Sequence, residues 1–127
     1  MKKLSLILSF ILLLSVSAMA KQNTTPTSDT LIRHTVAFKL KHPKGSMQEN
    51  EFFDASAKLS TIPSLQNFKI FRETSPKNEY DYFFYMEFKS AKDYEAYNAH
   101  PDHVKFVENF WVKDVDIFIE IDYEAFK

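Results

Sequence analysis

The sequence has no cysteine and only one glycine, Gly45, in 127 residues. The first absence excludes disulfides and any lipid-bearing cysteine. The second leaves no Gly-rich phosphate cradle, no dinucleotide fingerprint and no Gly-x-Ser-x-Gly elbow of a serine hydrolase. Basic residues are scattered and form no stripe, and the formal net charge is −1. Nothing in that distribution suits a phosphate backbone, so no nucleic-acid partner is expected.

Long apolar runs are also lacking, except at the start. Lys2 and Lys3 precede an apolar stretch from Leu4 to Val16, broken by Ser5, Ser9 and Ser15, which reaches Ala18, Met19 and Ala20. A positive end, a short apolar middle and small residues before the cut predict a cleavable signal peptide over residues 1–20. The middle falls short of the ~20 apolar residues that span a bilayer. The expectation is therefore an exported protein, periplasmic or secreted, with no membrane attachment once the peptide is removed. Removing residues 1–20 from 127 leaves 107, enough for one domain and too few for two. Lys2 and Lys3 are two of the 16 basic residues, so 14 remain against 17 acidic ones. Residues 21–30 are polar and aperiodic and read as a flexible leader, which leaves residues 31–127 as the domain.

What the chain does have is aromatic side chains, 13 Phe, 6 Tyr and 1 Trp. From Leu31 to Lys41 the pattern alternates, with Ile32, His34, Val36, Phe38 and Leu40 on one side, which predicts a strand with one buried face. Ser46 followed by Glu49 is a capping-box signature, and Phe52, Ala55, Leu59 and Ile62 then recur at helical spacing until Pro63. Strands are predicted over about Asn67–Glu73 and Tyr80–Phe88. Ser90 with Asp93 opens a second helix, and Pro101 forces a restart that runs to about Trp111. A last strand sets Val115, Ile117, Ile119, Ile121 and Tyr123 against Asp116, Glu120 and Asp122. The order strand, helix, strand, strand, helix, strand predicts an α+β, ferredoxin-like split βαβ fold with a four-stranded antiparallel sheet.

The third strand bears on assembly. Tyr82, Phe84, Met86 and Phe88 take one face while Phe83 and Tyr85 take the other, where Phe71 and Phe118 are expected to join them. Each large ring buries ~150–250 Å², so four such rings represent roughly 20 kcal/mol of gross stabilisation before association costs. A homodimer packed face to face would cover them.

Four histidines carry the chemical potential. His42, among Lys41, Pro43 and Lys44, reads as a solvated loop residue. His34 lies on the apolar face of the first strand beside Phe38, as a core histidine with one hydrogen bond or as a pocket wall. The run from Tyr94 to Val104 is the most informative. The bend at Pro101 can bring Tyr97 and His103 toward a common point, where a neutral imidazole takes a proton and a phenol steadies an oxyanion. The helix start disfavours a cation at His103. His100 reads as a helix-start residue with a further candidate role in the pocket. His100, Asp102 and His103 have only weak metal-ligand spacing, so neither a metal nor another cofactor is expected.

The opening Ile32–Lys41, the Ser90–Tyr97 helix and the tract His100, Pro101, Asp102, His103, Val104 followed by Phe110 and Trp111 together resemble the stress-responsive A/B barrel (Dabb) family. The resemblance spans about Leu31 to Tyr123 and implies a dimeric α+β barrel. One plant member is a polyketide cyclase that performs an aldol condensation without cofactor. Its acid–base pair falls on Tyr97 and His103, its first-strand pocket histidine on His34, and a second pocket histidine on Tyr82, where the residue type has changed. The resemblance implies a small apolar or aromatic ligand in contact with His34, Phe38, Tyr82 and His100. Two functions stay open: cofactor-free acid–base chemistry, cyclase- or lyase-like, and a non-catalytic ligand-binding or stress-protective role.

Overall fold

The computed structural model describes residues 30–126; the expected signal peptide and all but the last residue of the leader lie outside them. Strands β1 (Ile32–Leu40), β2 (Gln66–Arg72), β3 (Tyr82–Phe88) and β4 (Val115–Tyr123) form one sheet in the order β2-β3-β1-β4. All its pairings are antiparallel, so this is the ferredoxin-like arrangement. Helices α1 (Met47–Ala57), α2 (Ala91–Ala99) and α3 (Pro101–Phe106) pack against one face. A 3₁₀ turn, Lys58–Thr61, prolongs α1. Beyond α3 the chain widens into a π-helical turn, Val107–Trp111, and a last α turn, Val112–Asp114.

The caps follow the sequence closely. Ser46 Oγ accepts the Glu49 amide at 3.2 Å, and the Glu49 carboxylate reaches back to the Gly45 amide, one residue before the position a capping box would use. Gly45 sits at φ 80°, the left-handed region that its missing Cβ permits. Ser90 Oγ accepts the Asp93 amide at the start of α2, and Pro101 takes the first helical position of α3.

Val36, Phe38 and Leu40 of β1, with Tyr82, Phe84, Met86 and Phe88 of β3, meet Phe52, Leu59, Ile62, Tyr97 and Phe106 in the core. The rings of Phe38 and Phe84 lie 4.7 Å apart, and Trp111 closes over Phe38 at 5.2 Å.

Strand β4 departs from the expected pattern in two ways. A bulge opposite Lys39 and Leu40 turns Val115 into the core, away from the isoleucines. Phe118 pairs with Phe38 on the helix side and packs 5.4 Å from Trp111, so it does not share the open face with Phe71 and Phe83. Ile119, Ile121 and Tyr123 stand there instead, each more than 40% exposed, with Phe71 50% exposed on β2. The open face is thus more apolar than the third strand alone foretold, and Glu120 and Asp122 turn toward the helices.

His42 is not simply solvated. Its Nε2 lies 2.8 Å from Oδ1 of Asp114, a buried carboxylate, and so ties the end of β1 to the start of β4.

Candidate active site

A cavity of about 260 Å³ lies between the sheet and the α2–α3 bend, lined by Met86, Trp111 and Phe118 among apolar residues and by His34, Tyr97, His103 and Glu120 among polar ones. A larger hollow of about 410 Å³, on the outer side of α3 and α1, is lined by Lys58, Asp102, Lys105 and Phe110. It contains none of the histidines or tyrosines that could move protons. The smaller cavity is therefore the candidate.

Local structure explains how Tyr97 and His103 meet. Tyr97 is in the last turn of α2 and His103 in the first turn of α3, and the proline-induced break between them sets their rings 4.4 Å apart at 43°. Nδ1 of His103 lies 3.1 Å from the Asn98 carbonyl. A carbonyl only accepts, so this nitrogen carries the proton and Nε2 keeps the lone pair. Burial holds the imidazole below its ordinary pKa, opposed by the Asn98 hydrogen bond. The expectation of a neutral ring rested on the helix start; desolvation is the first cause here.

Tyr97 is only 2% exposed, and burial, followed by the charge of Glu120, pushes its phenol pKa up. Its hydroxyl has no hydrogen-bond partner among the described residues. The residue is buried, but its oxygen is not among the buried unpartnered atoms of the described residues; Tyr97 lines the cavity, where its hydroxyl can meet a ligand.

His34 is buried in β1, yet both its nitrogens face carboxylates. Nδ1 lies 2.6 Å from Oδ1 of Asp122, its register partner on β4, and Nε2 lies 3.9 Å from Glu120. The Tyr94 hydroxyl completes the first contact, 2.6 Å from Nδ1 and donating to Asp122 at 3.0 Å. Burial and that hydrogen bond push the Tyr94 phenol up, so it keeps its proton. Phe88 stacks on the Tyr94 ring at 4.5 Å and holds it in place.

The remaining sequence-derived positions do not line the cavity. Phe38 is fully buried in the aromatic core. Tyr82 packs against Phe53 at 4.8 Å and donates its hydroxyl to Glu49. His100 caps α3, its Nδ1 accepting the Asp102 amide at 3.2 Å. Sequence reasoning gave no site role to Tyr94, Glu120 or Asp122. The available signal was the acidic side of β4, whose carboxylates alternate with isoleucines.

The model of the stress-responsive A/B barrel domain, Dabb, matches residues 32–125. The chain belongs to the Dabb family. Among solved structures, a Dabb protein of Mesorhizobium loti with a ferredoxin-like fold is 46% identical, with a TM-score of 0.73 and coverage of 76% of this chain and 98% of that one. A dimeric ferredoxin-like protein of unknown function from Bacteroides fragilis is 18% identical, with a TM-score of 0.62 and coverage of 78% and 100%. The hydroxynitrile lyase of Passiflora edulis is 16% identical, with a TM-score of 0.69 and coverage of 78% and 96%. At those last two identities the likeness is one of fold. No curated protein matches.

Proposed function

We propose that this Dabb protein is exported, pairs as a homodimer through its open sheet face, and uses the inner cavity for cofactor-free acid–base chemistry on a small apolar or aromatic molecule. One observation supports the chemistry above the rest: His34, Tyr97 and His103 line a single cavity in which the Tyr97 hydroxyl has no hydrogen-bond partner among the described residues. The His103 lone pair serves as the base that removes a proton beside a carbonyl. The Tyr97 O–H donates to the carbonyl oxygen as it gains charge. His34, steadied by Asp122, orients the substrate.

Lyase chemistry draws on the same parts, because a base that accepts the hydroxyl proton lets a hydroxynitrile collapse to a carbonyl as the bond to the nitrile carbon breaks, and the departing cyanide takes that proton back and leaves as hydrogen cyanide. The hydroxynitrile lyase of like fold makes hydroxynitriles a reasonable arm of a screen. Pairing is supported by the exposed Phe71, Ile119, Ile121 and Tyr123, an apolar face that a lone subunit would leave wet, and by the dimeric relative. Export is supported by the sequence of residues 1–20.

A thermal-shift screen of aromatic ketones, β-diketones and hydroxynitriles, followed by turnover assays and repeated on His103→Ala, tests the reading. Stabilisation with turnover in the parent and no turnover in the variant is expected. Stabilisation without turnover in the parent would favour a passive binding protein.

A further inference from the structure

The polar groups of the cavity are unbalanced in kind. His34 Nδ1 faces a carboxylate at 2.6 Å, and a lone pair there would meet another lone pair, so Nδ1 carries the proton. In the neutral ring that leaves Nε2 of His34 as an acceptor on the cavity side. His103 reaches the same state by donating Nδ1–H to the Asn98 carbonyl. Glu120, whose carboxylate only accepts, stands 3.9 Å from His34 Nε2, beyond hydrogen-bond reach.

Three acceptors therefore converge where Tyr97 has one hydroxyl proton to give. Among the described residues of the lining, the other side-chain N–H groups, apart from the two histidine Nδ1–H already engaged, belong to Trp111 and Asn98, and there is no lysine or arginine. A carboxylate ligand would find no cation to pair with and would face Glu120. A ligand that brings protons would satisfy what the protein leaves unmet.

We propose that the ligand of this cavity is a ring-sized apolar molecule carrying hydroxyl donors, a phenol or enol, which it presents to His34, His103 and Glu120. The inference rests on the cavity being the ligand site and adds the chemical class that fits it. Glu120 is the residue that sets the preference, since its charge strengthens an O–H donor and repels an anion.

Three probes of one shape test this by calorimetry: para-propylphenol, its methyl ether, and para-propylbenzoate. The phenol should bind tighter than the ether by about tenfold, with the benzoate weaker still. Glu120→Gln should weaken the phenol severalfold, leave the ether unchanged and narrow the gap to the benzoate. Equal binding of phenol and ether, a benzoate at or above the phenol, or no binding by any probe at millimolar concentration would overturn the proposal.

Nitrogen NMR of the free protein at mildly alkaline pH gives a second reading. Both His34 and His103 should show an unprotonated Nε2, and an Nε2–H on either ring would overturn the acceptor inventory even if a probe binds. Lack of turnover on every carbonyl substrate would defeat the catalytic reading and leave this binding order standing. A benzoate-first order in an enzyme that turns over would do the reverse.

Discussion

His34 on β1 and Asp122 on β4 are register partners whose Nδ1 and Oδ1 atoms lie 2.6 Å apart, so a surface carboxylate fixes the tautomer of a buried imidazole. Asp122→Leu should release that choice, and nitrogen NMR should then show a mixture of His34 tautomers. Because the Asp122 side chain is 55% exposed, the stability cost should be small, about 1 kcal/mol. Asp122→Asn keeps an accepting oxygen and should preserve the Nδ1–H form. A fixed tautomer in the leucine variant would show that Tyr94 alone suffices.

The depressed pKa of His103 gives stability a pH dependence of definite sign. The folded state holds this ring neutral, mainly through burial, while the unfolded chain protonates it near the ordinary value of about 6.5. Between those two pKa values the unfolded state binds the extra proton, so its contribution to stability is full above about 6.5 and is lost as pH falls through the folded value. Urea melts of the parent should weaken over that acidic window, and His103→Phe should show a shallower decline. Equal slopes in the two proteins would place the acid sensitivity elsewhere.

The paired apolar faces of the sheet define the next test. Phe83 and Tyr85 share the open face with Phe71, Ile119, Ile121 and Tyr123, and a partner subunit would bury them together. Sedimentation of the parent at tens of micromolar should give a dimer, as expected for a complex of micromolar affinity or tighter. Replacing Phe83 and Tyr85 with Asp should give a monomer or an unfolded chain. Ile121→Asp alone, at the half-exposed edge strand, should fold and dissociate. A monomeric parent would contradict the pairing.

The order of elements was legible because each is punctuated locally: Ser46 and Ser90 cap helices, Pro101 restarts one, and β1 and β3 alternate cleanly. The facing of β4 was harder to read. A sheet with two apolar faces gives alternation without saying which face meets the helices, so the pattern did not reveal that Glu120 lines the cavity and that Asp122 reaches His34. The bulge that inserts Val115 into the core left no mark in the isoleucine pattern. Tyr97 and His103 were legible because only a local bend separates them. The Tyr94–Asp122 link to His34 depends on pairing between strands more than eighty residues apart, which no local pattern encodes. His42 looked like a loop residue for the same reason, since its partner Asp114 lies 72 positions on.

The final test concerns the free phenol and the free lone pair of the cavity. Tyr97→Phe removes one oxygen that has no hydrogen-bond partner among the described residues, so the fold should lose little and a bound apolar ligand should keep most of its affinity. Proton transfer is a different matter, because the O–H is needed only as charge develops on the substrate oxygen. Turnover should therefore fall by about 10² or more, with the loss in kcat. His103→Ala should lower kcat by a similar factor through loss of the base, and it also enlarges the cavity, so some change in ligand affinity is expected there. His103→Gln fills the space without supplying a base of suitable pKa and separates the two effects. The double variant should be little worse than either single one if phenol and imidazole act in one step. Independent, multiplying losses would mean that the two residues serve different steps, and unchanged turnover in Tyr97→Phe would remove the phenol from the chemistry.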